Sequence, residues 1–426
     1  MRYKNTFSIN VTKSAMKTPL LGPRRHCDMP IRTLDDLAAQ GQTIGLRLDI
    51  NSPFTDGSLA DDFRIRAHLE TVEELTTAGA RVVVLAHQGR PGGDSFRCLE
   101  PHADVLDGLI DPPVDYIDST FATAARDRIS TLSDGEVLVL ENTRFFSEEY
   151  IEFEPERAAQ TYLVTKLAPV LDAYVDDAFA AAHRSQPSLV GFPRRIPSYA
   201  GRLMEREIDV LGTIESTARP RVYFLAGAKV PDSLSVAESV LEDDIADEVL
   251  AGGLFGNLLL HAKGIRLGEP TDQILVEFDA LETLPRARRL LTNHGDRIRT
   301  PVDLAIEVDG ERVEIDIDDL PVESPTFDIG SATIDEFGEA LGNAATAVLN
   351  GPAGRVEDPL FTQGTRGVYR AASAAENSIV GGGDTGAVLR KLGIDGFDHV
   401  STGGGAAMRM LARETLPAVQ VLEDAG

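Results

Sequence analysis

The chain has no tryptophan, only two cysteines in 426 residues, and very little lysine. Cys27 and Cys98 form no CxxC pair, which leaves nothing from which to build a disulfide framework or a zinc site. No stretch reaches 18 consecutive apolar residues, so no membrane-spanning helix and no membrane partner are expected. The pattern GxxxxGK[ST] is absent, as are HRD and DFG, so the chain reads neither as a P-loop enzyme nor as a protein kinase. No GxGxxG after a strand is followed by an acidic residue about 20 positions on, which weighs against a dinucleotide-dependent dehydrogenase.

Positive charge is the other shortage. Lys and Arg total 41 against 68 Asp and Glu, a formal net charge of −27. Six of those cations (Arg2, Lys4, Lys13, Lys17, Arg24, Arg25) and a single acid, Asp28, fall in the first 28 residues, leaving 35 against 67 beyond them. After Lys17 only Lys166, Lys229, Lys263 and Lys391 remain. So acidic a surface excludes nucleic acid as a partner. It keeps a protein soluble, but its self-repulsion opposes compactness. That repulsion is tolerable where screening falls to ~3 Å, at about 1 M salt, so a halophilic cytoplasm is expected. The basic leader differs in composition from all that follows, and Met29-Pro30 reads as a natural start. Residues 1–28 are therefore expected to be a disordered extension or a misassigned start; they carry no apolar block of a secretory signal.

A chain of this length exceeds one ordinary core, so two domains are expected. Short runs of Val, Ile and Leu alternate with helix-length amphipathic stretches, the pattern of α/β parallel sheets with crossover helices. Expected strands are Thr43–Ile50, Arg81–Ala86, Glu136–Leu140 and Ala173–Val175 in the first half. In the second half they are Arg221–Leu225, Glu248–Leu250, Ala347–Leu349, Asn377–Val380 and Phe397–Val400, with a hairpin turning on Asp309-Gly310. The Pro-rich stretch 191–198 and the helical spacing of Met204, Ile208 and Leu211 mark a junction. The resulting division is a first lobe at 29–197, a joining helix at 198–211 (about Tyr199 to Leu211), and a second lobe at 212–405. A final segment spans 406–426.

In open α/β sheets ligands bind beyond the carboxyl ends of the strands. In the first half those ends run into Asp49-Ile50-Asn51, His87-Gln88-Gly89-Arg90, Glu141-Asn142-Thr143-Arg144, and Asp176-Asp177 leading to His183-Arg184. Arg64 follows Asp49 by fifteen positions. A lone arginine in an acidic chain is ordinarily a surface ion-pair partner. Several at successive strand ends, with His87, point to a crevice for phosphate and carboxylate oxygens, which guanidinium forks grip at two points. In the second half the ends carry glycine: Gly227-Ala228-Lys229, Gly252-Gly253, Asn350-Gly351-Pro352 with Glu357 beyond, Gly381-Gly382-Gly383-Asp384-Thr385, and Gly403-Gly404-Gly405. Glycine lets backbone N–H groups approach phosphate closely, so this half reads as a nucleotide crevice. Asp384 suits magnesium, which uses few carboxylates plus phosphate oxygens, or else serves as a helix cap. Lys229 stands out because the chain keeps so few lysines.

These residues closely resemble phosphoglycerate kinases, particularly the archaeal branch, from about Thr43 to Glu423. LRLDINSPF (46–54), HQGRP (87–91), LENTRFFSEE (140–149), DDAFAAAHR (176–184), GAKVPDS (227–233), LNGPAG (349–354), GGGDT (381–385) and STGGGAA (401–407) all fit the family in order. The resemblance implies two Rossmann-like lobes separated by a cleft, with phosphoglycerate held by the first and magnesium-bound ATP or ADP by the second. It places phosphoglycerate at Asp49, Asn51, Arg64, His87, Gln88, Gly89, Arg90, Arg144 and Arg184. It places the nucleotide at Gly227, Ala228, Lys229, Gly253, Asn350, Glu357, Gly381, Gly382, Gly383, Asp384 and Thr385, with Glu357 at the ribose and Asp384 on the metal. Arg64 and Lys229 match the cations that steady the transferring phosphoryl group, and the last segment is implied to fold back on the first lobe. One departure is Ser233, where many relatives carry a second lysine; Arg355 or a backbone N–H would have to stand in. The implied activity is reversible phosphoryl transfer between 1,3-bisphosphoglycerate and ADP by a cytoplasmic monomer, with an inactive binding-protein relative as the alternative.

Overall fold

The computed structural model describes residues 31–55, 57–382 and 385–426. The basic leader, and the expectation made for residues 1–28, lie outside the described residues.

Runs rich in Val, Ile and Leu form strands because branched side chains are stiff at χ1 and pack well on a pleated surface. In the first half these are β1 (Thr43–Arg47), a small hairpin β2 (Phe54–Thr55) and β3 (Ser58–Leu59), and β4 (Arg81–Leu85). They continue with β5 (Val114–Ile117), β6 (Val137–Leu140), β7 (Ala173–Asp176) and β8 (Ser198–Ala200). Six of them make one sheet in the order β5-β6-β4-β1-β7-β8, every neighbouring pair parallel. Strands β1, β6 and β7 are buried throughout, as they must be when helices cover both faces.

The second half repeats the plan with β9 (Arg221–Leu225), β10 (Glu248–Ala251), β11 (Ile298–Arg299), β12 (Asp303–Val308) and β13 (Glu311–Asp316). It ends with β14 (Asp328–Ile329), β15 (Thr346–Asn350), β16 (Asn377–Gly381) and β17 (His399–Val400). A second parallel sheet runs β11-β10-β9-β15-β16-β17, and a small antiparallel one runs β13-β12-β14. Between β12 and β13, Asp309 and Gly310 take φ of 51° and 81°, the left-handed pair that a two-residue hairpin turn requires. The molecule is thus two Rossmann-like α/β lobes joined by a helix and separated by a cleft.

Two differences from the sequence reading have physical causes. Strand β5 carries Asp115 at an exposed edge, so it lacks the apolar run that marks an interior strand. The joining helix is Arg202–Gly212, and the residues expected to begin it, Ser198–Ala200, instead form β8 beside β7. Asp177 sets that boundary. Its buried Oδ1 accepts the N–H groups of Leu203 at 2.9 Å and Met204 at 3.3 Å, capping the helix from a distant part of the chain. Gly201 has no Cβ because one would collide with the same carboxylate. Further along this helix, buried Glu207 accepts the Thr402 N–H at 2.7 Å and its hydroxyl at 3.0 Å. The helix is therefore fastened to the first lobe at one end and to the STGGG turn of the second in its middle.

One apolar cluster continues through the junction, from Phe179 and Leu189 past Met204 and Leu211 to Leu225, Val230 and Ala407. The terminal helix Pro417–Glu423 lies against the first lobe. There the Ala418 N–H donates to the Ala182 carbonyl at 3.1 Å, and Arg194 pairs with Asp424 at 2.8 Å.

Candidate active site

Strand β1 ends on Arg47, a residue absent from the sequence-based set. It is buried, and its guanidinium is spent within the lobe. Nε donates to Ser188 Oγ at 2.9 Å, Nη1 to the Leu48 carbonyl, and Nη2 lies 2.9 Å from His87 Nδ1. An arginine can only donate, so His87 Nδ1 accepts, and Nε2–H faces Asp49 Oδ1 at 3.9 Å. Burial holds the His87 imidazole well below its usual pKa; Asp49 opposes this, while Arg47, Arg144 and Arg184 add to it. His87 is therefore neutral. Burial works against an ionised Asp49, but the guanidiniums of Arg64 at 3.4 Å and Arg47 oppose it, and the carboxyl lies well below the carboxylate range.

The next ends interlock by backbone contacts. Asn51 Oδ1 accepts the Gly89 N–H at 2.8 Å, and the Gly89 carbonyl accepts from Arg144 Nη1 at 2.6 Å. Gly89 has a φ of 66°, and a Cβ there would strike the Ser95 backbone, so only glycine makes this bend. Arg144 is buried and has no carboxylate partner among the described residues. Burial, reinforced by Arg184, pushes its pKa down to about 10. Arg184 is half-buried and donates to His183 Nε2 at 3.3 Å, and burial lowers its pKa as well. Arg90 is exposed, and no ion pair is found for it among the described residues. Three guanidiniums left without carboxylates, in a chain with 68 acidic side chains, form a site that favours an anion from outside.

Gln88 is not part of that surface. It is fully buried; its amide donates to the carbonyls of Ser52 and Ser95, and its oxygen accepts the Ser52 N–H. A strand-end position does not reveal which way a side chain turns, and here all its polar atoms are used inside the lobe. His68 and Asp177 are also missing from the sequence-based set. Buried His68 joins Asp177 Oδ2 at 2.7 Å to the Asp49 backbone, with Nε2 3.2 Å from its nitrogen. Asp177 was legible as a strand-end acid; His68 sits on no motif.

In the second lobe the glycine turns press together. Gly227, Gly253, Gly351 and Gly382 all have positive φ. A Cβ on Gly253 would lie 2.7 Å from the Gly227 nitrogen, and one on Gly382 2.6 Å from Thr385 Oγ1. The ends of β9, β10 and β15 are thus packed backbone to backbone, leaving a bare polar wall. Ala228 and Lys229 stand exposed on its rim, Lys229 just before the helix Val230–Glu242, with no partner found among the described residues. Asn350 and Thr385 are buried beside Gly382, and Glu357 is exposed. Ser233 is fully buried with its hydroxyl toward the Ala226 carbonyl, so it supplies nothing to the wall. Arg355 is engaged elsewhere, paired with Asp358 at 3.1 Å and lying over the Phe327 ring. Gly383 and Asp384 lie outside the described residues.

The two surfaces adjoin. The short helix carrying Arg64 touches the helix Thr385–Leu392, because a Cβ on Gly386 would lie 3.4 Å from Phe63 Cζ. A guanidinium cluster on one α/β lobe, beside a glycine-walled turn system on another, defines a two-lobed phosphotransferase. Comparison with known proteins gives the particular family. The phosphoglycerate kinase family profile matches residues 34–414. The chain is 58% identical over 396 residues to the phosphoglycerate kinase of Natronomonas pharaonis, covering 92% of this chain and 100% of that one. It is 57% identical over 397 residues to that of Halobacterium salinarum, with the same coverage. The crystal structure of phosphoglycerate kinase from Pyrococcus horikoshii OT3 superposes with a TM-score of 0.89 at 42% identity, over 93% of this chain and 99% of that one. The chain belongs to the phosphoglycerate kinase family. Relatives from salt-loving archaea agree with the acidic, lysine-poor composition, and neither the dehydrogenase nor the binding-protein alternative is favoured.

Proposed function

We infer that this chain transfers a phosphoryl group between ATP and the carboxylate of 3-phosphoglycerate, giving ADP and 1,3-bisphosphoglycerate, and runs the reverse reaction to make ATP. The observation that carries the assignment of the site is the set of guanidiniums without carboxylate partners at the strand ends of the first lobe. In this reading Arg90, Arg144 and Arg184, with Arg64, Asn51 and the Gly89 turn, hold phosphoglycerate; Asp49 and His87 orient them. Lys229, Gly227, Ala228, Gly253, Asn350, Glu357 and the turn 381–385 hold the nucleotide. The first lobe is taken to run to residue 200, bridged by the helix Arg202–Gly212 to a second lobe that runs to 405, with 406–426 returning to the first.

The attacking group is a carboxylate with a pKa of about 3.5, already ionised at neutral pH, so no general base is needed. One of its oxygens forms a bond to the γ-phosphorus as the bond from that phosphorus to the oxygen of ADP breaks. Catalysis then rests on alignment and on neutralising charge at the transferred group. In this reading Arg64 from one side and Lys229 from the other take that role. Lobe closure would exclude the water that otherwise accepts the phosphoryl group.

Magnesium is assigned to the nucleotide, with Asp384 as its protein ligand. Among the described residues no three His, Cys, Asp or Glu side chains gather into a cage. Magnesium commonly takes phosphate oxygens together with one or two carboxylates. When bound, it would neutralise phosphate charge.

A coupled assay with 3-phosphoglycerate and Mg-ATP across a KCl series tests the reading. Turnover that rises with salt is expected, and no activity at any salt would return the chain to a binding role. Arg64→Ala and Lys229→Ala should each cut turnover at least tenfold, about 1.4 kcal/mol, with the fold intact. Near-normal rates in both would remove them from the mechanism.

A further inference from the structure

Away from the residues assigned to either ligand, Phe63 of the first lobe meets Gly386 and Arg390 of the second. Arg390 Cζ lies 4.2 Å from the centroid of the Phe63 ring. The ring also rests on the bare backbone of Gly386, where a Cβ would meet Phe63 Cζ at 3.4 Å. Asp61 Oδ2 lies 4.0 Å from Arg390 Nη2, and Arg390 also lowers the pKa of neighbouring Asp62 after the larger effects of Arg66 and burial. The placement gives this contact its meaning. Phe63 directly precedes Arg64 on the helix Phe63–Ala67, and Gly386 and Arg390 lie on the helix that begins at Thr385, where the GGGDT turn ends.

We propose that Phe63, Gly386 and Arg390 form an interlobe latch that sets the position of Arg64 against the nucleotide turn when the lobes are together. The proposal rests on the reading of Arg64 as the phosphoryl-steadying cation. Neither Phe63 nor Arg390 belongs to either pocket, so both act as positioning residues. The chemistry of the latch suits strong salt. An ion pair at 4.0 Å between half-exposed groups is weak and easily screened. A ring seated on glycine depends on contact and desolvation, which salt does not weaken, and the guanidinium over the ring adds a short-range attraction. The ring is the fixed part and the carboxylates Asp61 and Asp62 only guide the approach.

The test compares Phe63→Ala, Arg390→Leu, the double variant and Arg390→Lys, with Arg64→Ala alongside. Expected is a fall in kcat of about 3- to 30-fold in each of the first two. The double variant should be no worse than the poorer single, because both remove the same contact. Calorimetric affinities for 3-phosphoglycerate alone and for Mg-ADP alone should stay within twofold of wild type. The contraction seen by X-ray scattering when both substrates are added should diminish. Arg390→Lys should recover only part of the loss, since an ammonium lacks the planar face. The defect in Phe63→Ala should persist from about 1 M to about 3 M KCl. Singles whose losses multiply, or an unchanged kcat and contraction while Arg64→Ala is crippled, would overturn the latch and leave the reading of the site intact. A normal rate in Arg64→Ala would instead remove the reading on which the latch depends.

Discussion

Replacing Arg144 by methionine should weaken phosphoglycerate binding strongly while leaving the empty protein about as stable as before. Arg144 is 8% exposed, and burial, reinforced by Arg184, brings its pKa down to about 10. At 1.36 kcal/mol per unit, that charge costs the folded state at most about 3 kcal/mol. A base whose folded pKa is depressed carries the whole of that cost at any pH below the folded value. Between pH 5 and 9 the penalty is therefore constant. Against it stands one hydrogen bond from Nη1 to the Gly89 carbonyl at 2.6 Å, worth ~1.5–3 kcal/mol as a charged donor, and a distant contact with the Tyr150 ring. The two sides nearly cancel, so the melting temperature should move by only a few degrees in either direction. Substrate binding has no such compensation. Losing a charge-assisted contact to phosphate or carboxylate should raise KM for 3-phosphoglycerate by roughly 10- to 150-fold. Steady-state assays at fixed KCl and thermal melts with and without the substrate measure both quantities. A large loss of stability with an unchanged KM would show that Arg144 is a structural cation and refute the reasoning.

Three further outcomes follow from the same geometry. His102 is buried and burial brings its pKa to about 4, so folding is penalised as the unfolded imidazole protonates below about 6.5. Between pH 7 and 5 the wild type should therefore lose about 2 kcal/mol relative to His102→Gln, measured by urea titration; parallel pH profiles would contradict this. Asp177→Ala strands the Leu203 and Met204 N–H groups and His68 together, and should cost about 3 kcal/mol in urea unfolding, where under 1 would show that the helix cap is dispensable. With a net charge of −27, the folded state should gain stability steadily as KCl rises from about 0.1 to about 3 M, and a flat melting temperature across that range would count against salt adaptation.

The alternation of Val-rich runs with amphipathic stretches determines the two parallel sheets, because a strand covered on both faces must be apolar throughout. The arginine-bearing and glycine-bearing strand ends were equally legible, since topology brings the carboxyl ends of neighbouring parallel strands to one edge. Local signals could not show direction. Gln88 stands among the binding residues in sequence, yet turns inward to Ser52 and Ser95. Arg47, at the end of a buried strand, has no local mark that separates it from the surface arginines, but it fixes the tautomer of His87. The start of the joining helix depends on Asp177, 26 residues before Leu203, and the contact between Phe63 and Arg390 spans the two lobes. Periodicity and turn chemistry act within a few residues and are therefore written in the sequence. Caps, neutral histidines, unpaired guanidiniums and interlobe contacts depend on which distant atoms come together in space, and only the tertiary structure decides them.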